Sequence, residues 1–277
     1  MLNRPLDLVE KKATSFFACQ ADPRFSHCLY VPSDYDEAGS DVRPLVVVLH
    51  GSLRTAEGYR SDWAPFAEET GAVILAPLFP AGIIEPDDIH NYKLLKFHDI
   101  RFDLILLAMV DEVAAKYRVD PSRFMLHGFS GGGQFAHRFL YLHPQRLSAI
   151  SIGAPGMVTL LDDARDWWVG TRGMEPVFGA GPDLAAMRSV PVQMIIGADD
   201  TDTDEITVRP DVRYFWMEGA NDAGRTRIDR LQALRDSFEA RGIAVRFEAV
   251  EGVGHAGMHV QDRVRAFFRE VLSSQAA

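Results

Sequence analysis

The fold is decided by the stretch Phe124-Met125-Leu126-His127-Gly128-Phe129-Ser130-Gly131-Gly132-Gly133, in which an apolar run ends abruptly at a serine between glycines. The run is typical of a buried strand, and we predict that it turns sharply into a helix starting near Gly131. In such a tight turn, Cβ atoms at Gly128 and Gly132 would collide with the neighbouring strand and helix. The turn would lift the Ser130 hydroxyl clear of the sheet.

The sequence on either side of Ser130 supports this interpretation. The pattern Gly-x-Ser-x-Gly alone is moderate evidence, because glycine makes up about 7% of an average chain and the pattern also arises by chance. Upstream, Asp120-Pro121-Ser122 bounds the strand. Downstream, apolar residues recur at helical spacing until His143-Pro144 stops the helix. The alternative is a glycine-rich turn that carries a solvated serine.

Composition describes a globular protein that needs no membrane. The chain has 277 residues, 47% of them hydrophobic, and a net charge of −10. It has no apolar run near eighteen residues, and the acidic balance disfavours nucleic acid and anionic membranes as partners. The N-terminal residues lack an apolar signal region, and Cys19 and Cys28 are too few for a disulfide scaffold. We therefore expect a cytoplasmic protein.

Apolar strand-like runs alternate with helical patterns along most of the chain. This alternation predicts a single domain of the α/β class over residues 1–277, with a doubly wound, mostly parallel sheet. Residues 16–19 and 27–31 predict a hairpin, and the segment 155–187 is irregular and predicts a small cap over the site. The remaining predicted strands are 45–49, 72–77, 124–129, 148–153, 192–196 and 245–250.

A catalytic serine needs a base within hydrogen-bond reach and a third group to hold that base. The stretch Gly252-Val253-Gly254-His255-Ala256-Gly257 follows the last strand, and its small residues would let a loop bring His255 to Ser130. His259 is the nearby alternative, but it stands at the start of the final helix. We therefore assign His255 as the candidate base.

The candidate acid lies in Gly197-Ala198-Asp199-Asp200-Thr201-Asp202-Thr203-Asp204-Glu205, directly after a predicted strand. The spacing Gly-x-x-Asp from the strand end favours Asp200, followed by Asp202 and then Asp199. The alternatives are a solvated acidic loop or a calcium site, and the calcium pattern lacks the remaining ligand positions. The order Ser, Asp, His, each after a different strand, is the one found in α/β-hydrolases.

Attack on an acyl carbon creates an oxyanion, which needs backbone N–H donors. We expect Gly131 and Ser52 to supply them, and His50 to brace the loop that carries Ser52. Trp167 and Trp168 are candidates for an acyl pocket or for packing of the cap, and Tyr92 is a further candidate substrate-binding residue. The polar residues Asp87, Asp88, His90, His98 and Asp99 have metal-ligand types without metal spacing, so we assign no metal and no cofactor.

At these residues the chain resembles the α/β-hydrolase superfamily, and within it the esterases that include polyhydroxyalkanoate depolymerases and feruloyl or acetylxylan esterases. The likeness is sharpest at residues 49–52, at residues 117–123 leading into 128–132, and at Gly254-His255. It implies Ser130 as nucleophile, His255 as base, Asp200 as acid, and Ser52 and Gly131 as oxyanion donors.

The resemblance also has departures that bear on the substrate. Those extracellular enzymes usually carry a leader, disulfides and often a polymer-binding module, none of which this sequence shows. We expect a serine esterase that acts on small soluble or oligomeric esters through an acyl-enzyme. The alternatives are an amidase or peptidase, including one that cleaves a poly-amino acid, and a ligand-binding protein on a hydrolase fold. The oligomeric state is not indicated.

Overall fold

The structure, a computed structural model, describes residues 5–211 and 216–276. The strands are β1 (Lys12–Ala13), β2 (Phe17–Ala18), β3 (Ser26–Val31), β4 (Leu45–Leu49), β5 (Val73–Leu78), β6 (Lys96–Phe97), β7 (Ile100–Arg101), β8 (Phe124–Phe129), β9 (Leu147–Gly153), β10 (Val192–Gly197) and β11 (Val245–Val250). The α-helices are α1 (Ala56–Asp62), α2 (Ala64–Thr70), α3 (Phe102–Lys116), α4 (Gly131–Leu142), α5 (Met174–Phe178), α6 (Leu184–Met187), α7 (Arg227–Glu239) and α8 (Gly257–Ala276).

In the described part of the chain, nine strands form one sheet in the order β1-β3-β5-β4-β8-β9-β10-β11, and β2 pairs with β3 beside this row. The pairs from β5 through β4, β8, β9 and β10 to β11 are all parallel. The edge formed by β1, β2 and β3 is antiparallel. The prediction of a doubly wound, mostly parallel sheet is therefore confirmed, as is the hairpin, which β2 and β3 form.

The central strands are buried on both faces, as their uninterrupted apolar sequences predict. Every residue of β4 and β8 is buried, and α4 is buried along its whole length between the sheet and the loops above it. Burial of this strand, turn and helix holds the turn between them in one position. Cys19 and Cys28 are buried thiols without a disulfide.

The long connection after β5 has more structure than its sequence indicates. It contains a short 3-10 helix, Asn91–Leu94, and the two-residue strands β6 and β7 pair as a small hairpin of their own. Such short elements lack the length over which periodicity is visible. Within the irregular segment 155–187, α5 and α6 are the only helices described.

No helix in the described ranges has both the length and the apolar character required to cross a bilayer.

One buried polar network stabilises the strand that leads to Ser130. The His127 Nδ1–H donates to the Ser151 carbonyl at 3.2 Å, and its Nε2 accepts from Gln261 Nε2 at 3.3 Å. The Gln261 Oε1 accepts in turn from the Trp63 indole N–H at 2.9 Å. Burial lowers the pKa of His127 to about 4, so the imidazole is neutral in the folded protein near pH 7.

This network predicts a specific loss of stability in acid. The unfolded imidazole titrates near pH 6.5, so between about pH 6.5 and 4 the unfolded state binds more protons than the native state. The free energy of unfolding then falls as the pH falls, and His127 accounts for up to about 1.4 kcal/mol per pH unit. Urea denaturation across this range should show a shallower slope for His127→Gln. Trp63→Phe removes a hydrogen bond from the same network without removing a titrating group, and a slope lowered equally in both variants would contradict the assignment.

Candidate active site

The backbone at Ser130 adopts a conformation that residues other than glycine rarely take. Its φ is 57° and its ψ is −116°, at the junction of β8 and α4. Such a residue costs about 1–3 kcal/mol of strain unless its surroundings hold it. Here the Ser130 N–H donates to the Gly153 carbonyl at 2.9 Å, and the buried strand and helix fix both ends of the turn.

The glycines around Ser130 are required by close backbone approach. A Cβ at Gly132 would lie 2.7 Å from the Leu49 carbonyl oxygen, and a Cβ at Gly128 would overlap the backbone of Gly132. A Cβ at Gly133 would meet the carbonyl oxygen of Gly153. The predicted collisions at Gly128 and Gly132 are confirmed, because the start of α4 packs directly on the end of β8 and because β4 passes against Gly132.

The loop after β11 brings His255 to the serine. The His255 Nε2 lies 3.0 Å from Ser130 Oγ, and the His255 ring packs on Phe129 with centroids 5.0 Å apart. The loop can cross the end of β10 because Gly197 has no side chain; a Cβ there would overlap the Val253 carbonyl oxygen. The structure thus brings His255 to Ser130, whereas His259 is exposed on α8.

The acidic loop after β10 places a single carboxylate behind His255. The Asp200 Oδ2 lies 2.6 Å from His255 Nδ1, and the residue is 1% exposed. The other two candidates, Asp199 and Asp202, are exposed, and Asp202 Oδ1 accepts the backbone N–H groups of its own turn. The structure therefore joins Ser130, His255 and Asp200 in one hydrogen-bonded chain.

Arg227 extends this chain beyond the predicted residues. Its Nη1 donates to Asp200 Oδ1 at 3.0 Å, and its Nη2 donates to Glu205 Oε2 at 2.7 Å. Both the Arg227 side chain and the Asp200 carboxylate are buried, whereas Glu205 is exposed. Arg227 is the first residue of α7, where a capping box of Thr226 and Asp229 starts the helix. That box predicts a helix start, but no sequence signal connects the arginine to Asp200.

The loop after β4 lies against the serine and is braced from below. The His50 Nδ1–H donates to the Gly51 carbonyl at 2.8 Å, and its Nε2 accepts the Phe79 N–H at 3.0 Å. Burial lowers the pKa of His50 to about 4, so it is neutral and holds both bonds. The Tyr92 hydroxyl donates to the His50 carbonyl at 3.1 Å.

This bracing brings the backbone of Ser52 close to that of Gly131. A Cβ at Gly131 would lie 3.3 Å from the Ser52 nitrogen, so the two peptide groups are neighbours beside Ser130. Gly131 is also the first residue of α4, where backbone N–H groups have no acceptor within the helix. The two predicted donors are therefore close to each other.

A cavity of about 570 Å³ opens over Ser130 and His255. Its apolar wall includes Leu53, Phe129, Met157, Ile206 and Val208, and its polar wall includes His90, Lys93, Gln134, Glu205 and Arg227. From the segment 155–187, Gly156 and Met157 contribute to the lining.

The three residues predicted to bind substrate lie elsewhere. Tyr92 is fully buried beneath the loop that carries Ser52, and Trp167 packs edge-on against Phe178 at a centroid distance of 4.9 Å. Trp168 is buried in a small apolar cluster with Met157 and Val169. The structure does not bring these aromatic rings to the cavity wall, because each packs between the loops and the body.

The polar residues of the long connection serve its backbone. The Asp88 carboxylate accepts the N–H groups of His90 and Asn91 at 2.9 and 3.1 Å, and His98 pairs with Glu85. Across the described ranges, no three His, Cys, Asp or Glu side chains are grouped closely enough to hold a metal ion.

Known proteins resemble this chain in sequence over part of its length and in fold over most of it. No family model matches the chain. A poly(3-hydroxybutyrate) depolymerase of Ralstonia pickettii is 27% identical over 143 residues, covering 47% of this chain and 29% of that enzyme. The match thus spans less than a third of the depolymerase.

Solved structures are similar over most of the chain. A poly(3-hydroxybutyrate) depolymerase from Bordetella parapertussis has a TM-score of 0.71 at 23% identity, covering 88% of this chain and 83% of its own. Poly(aspartic acid) hydrolase-1 from Sphingomonas sp. KT-1 has a TM-score of 0.74 at 21% identity, covering 92% of this chain and 98% of its own. The chain has the α/β-hydrolase fold, as its sequence resemblance implied.

The pairing of Arg227 with Asp200 predicts a large effect on stability. Arg227→Met leaves a buried carboxylate without its cation, which should lower the free energy of unfolding by about 3 kcal/mol. Glu205→Gln removes only the exposed partner and should cost less than about 1 kcal/mol. Urea denaturation near neutral pH measures both. Equal losses in the two variants would contradict the role of the buried ion pair.

Proposed function

We propose that the protein is a serine hydrolase that cleaves carboxylic esters through an acyl-enzyme intermediate. The observation that carries the proposal is the hydrogen-bonded chain from Ser130 through His255 to Asp200, with contacts of 3.0 and 2.6 Å, at the wall of an open cavity. A hydroxyl, an imidazole and a buried carboxylate in this order form the arrangement that activates a serine.

Each residue of this hydrogen-bonded chain has one chemical task in the proposal. Asp200 holds the His255 Nδ1–H, which leaves Nε2 free of a proton and facing the Ser130 hydroxyl. As the Ser130 oxygen attacks the acyl carbon, Nε2 takes the hydroxyl proton, and the buried carboxylate stabilises the imidazolium. Arg227 keeps the carboxylate in place from its other oxygen.

The oxyanion that forms on attack would be bound by the N–H groups of Ser52 and Gly131. Backbone donors held in advance cost no reorganisation during the reaction, and loss of one such donor typically slows an enzyme about a hundredfold to a thousandfold. The positive end of the α4 dipole also points to this place. The strained turn at Ser130 therefore sets both the nucleophile and one donor.

The cycle closes by further proton transfers through His255, in which the serine's proton leaves with the alcohol and a proton from water replaces it. His255 gives its proton to the leaving alkoxide oxygen, and the alcohol departs from the acyl-enzyme. Water then attacks the acyl carbon while His255 takes a proton from it. Collapse of the second oxyanion releases the carboxylic acid and returns the proton to Ser130. No cofactor enters these steps.

The depolymerase relatives support ester substrates, and the cavity size favours small or oligomeric ones. A volume of about 570 Å³ falls in the range of cavities that enclose small molecules. Its apolar wall suits an acyl chain. The second candidate function is amide cleavage, favoured by the likeness to poly(aspartic acid) hydrolase-1 over 92% of the chain.

Loss of the nucleophile should abolish both labelling and turnover. Ser130→Ala is expected to remove labelling by a fluorophosphonate probe and to lower kcat for an aryl ester by about a factor of 10⁴ or more. The change removes the oxygen that forms the acyl-enzyme. His255→Gln tests the base in the same assays. His259→Gln removes a histidine from the same region and is its matched control. Labelling that persists in Ser130→Ala would exclude Ser130 from the mechanism.

Substitution of Asp200 and of Asp202 shows which of the two neighbouring aspartates acts as the acid. Asp200→Asn keeps the shape of the side chain but favours the wrong imidazole tautomer, so kcat should fall by about 10⁴-fold. Asp202→Asn should leave kcat within about twofold, because its carboxylate caps an exposed turn. Steady-state kinetics on one aryl ester measures both, and a large loss confined to Asp202→Asn would move the assignment.

Turnover of an aryl ester and of the anilide with the same acyl group decides between the two candidate functions. An ester hydrolase should cleave the anilide at a far lower kcat/KM, since the amine is the poorer leaving group. Comparable values for both would favour the amidase. A labelled protein that cleaves neither across a broad panel would favour a ligand-binding role.

A further inference from the structure

Lys93 is a buried cation in the wall of the cavity. It lies in the 3-10 helix Asn91–Leu94 and is 3% exposed. Its Nζ lies 2.7 Å from His90 Nδ1, and no carboxylate in the described ranges comes within ion-pair distance of it. The other cation in the wall, Arg227, is paired with Asp200 and Glu205. Lys93 is thus the cation of this cavity that has no acidic contact.

Lys93 lies beside Gly131 and lines the same cavity as Ser130 and His255. Its Cε would be 3.1 Å from a Cβ placed on Gly131, the residue after Ser130. The backbone beneath the lysine is fixed, because its N–H donates to the His90 carbonyl at 3.0 Å and its carbonyl accepts from the buried Arg138 at 2.9 Å. The side chain therefore extends to the vicinity of Gly131 from a backbone that is held in place.

The electrostatic surroundings leave Lys93 in need of an anion. Burial, with Arg54 as the next cause, lowers the pKa of Lys93 to about 7, and burial lowers that of His90 to about 4. His90 is then neutral and accepts a hydrogen bond from the ammonium. Arg138 and Arg227 add repulsion, and Asp88 is the nearby acid that offsets it in part. An ammonium held in such a place is costly unless an anion joins it.

Another residue of the wall, Gln134, has a buried acceptor without a hydrogen-bond donor. The Oε1 of Gln134 is buried and accepts no hydrogen bond, and the residue is 5% exposed. Gln134 lies on α4 four residues after Ser130 and lines the same cavity. A buried acceptor without a donor costs about 1–3 kcal/mol, so a polar ligand in this cavity would gain by contacting it.

We propose that Lys93 binds a carboxylate carried by the acyl part of the substrate, so that the preferred substrates are esters whose acyl chain ends in a free acid. The inference rests on the proposed function, because it places this carboxylate beside an acyl carbon at Ser130. An incoming carboxylate supplies the charge that Lys93 lacks and keeps the ammonium protonated above neutral pH.

The test compares two esters of the same shape. Ethyl hydrogen succinate carries a carboxylate where ethyl 4-methylpentanoate carries an isopropyl group. The ratio of their kcat/KM values, taken at about pH 6 where Lys93 is charged, cancels effects common to both substrates. In Lys93→Met this ratio should fall by about tenfold to a hundredfold, mainly through KM of the acid ester.

Lys96→Met is the matched control, since Lys96 lies three residues further on and donates to the Val177 carbonyl. It removes the same charge without touching the cavity wall, so the ratio should stay within about twofold of wild type. A ratio that Lys93→Met leaves unchanged, or a wild-type protein without preference for the acid ester, would overturn the proposal.

A binding measurement separates this inference from the proposed function. Calorimetric titration of Ser130→Ala with ethyl hydrogen succinate, with and without Lys93→Met, measures the ion pair without turnover. We expect Kd to rise by about tenfold or more on loss of the lysine. Tight binding that depends on Lys93 in a protein without esterase activity would sink the proposed function and keep the carboxylate site. Esterase activity of the wild-type protein, together with equal Kd values for Ser130→Ala with and without Lys93→Met, would overturn the carboxylate site and keep the proposed function. Near-ultraviolet circular dichroism verifies that the variants are folded.

Discussion

The backbone turn at Ser130 is the constraint on which the rest of the site depends. Its positive φ persists only because β8 and α4 are buried on either side and because β4 and β9 pass close enough to exclude side chains at Gly132 and Gly133. The same close approach sets the hydroxyl at the rim of the sheet and the Gly131 N–H beside it. The strain at Ser130, the glycines around it and the position of the nucleophile therefore all follow from the same close packing.

Behind the serine, a row of hydrogen-bonded polar side chains leads from the cavity into the protein and back to the surface. His255 contacts Ser130 and Asp200, and Asp200 is held by Arg227, which reaches the exposed Glu205. A buried carboxylate is stable only when its charge is compensated and both oxygens accept hydrogen bonds. Arg227 satisfies one oxygen and His255 the other, so the geometry that the proposed mechanism uses is also the geometry that makes the buried charge tolerable.

The net charge of the whole protein is negative, whereas the cavity wall carries a buried cation. The net charge is −10, yet the cavity wall holds Lys93 without an acidic contact in the described residues. Distant surface charges are screened within about 10 Å at ordinary salt, whereas a buried cation is not. Recognition of an anionic group, as proposed, would thus depend on one lysine rather than on the overall field.

The sequence alone determined the sheet and the order of the proposed nucleophile, acid and base, because apolar runs are local signals and parallel strands present their following loops at one edge. Asp200 was preferred over Asp202 from its spacing, and the structure places it behind His255. Only the tertiary structure revealed that Arg227 contacts Asp200 and that Lys93 lines the cavity, and only it placed Tyr92 beneath the serine loop instead of in the cavity. These outcomes depend on which side of a loop faces the cavity, and that is set by contacts between distant segments, which leave no periodic trace in the chain.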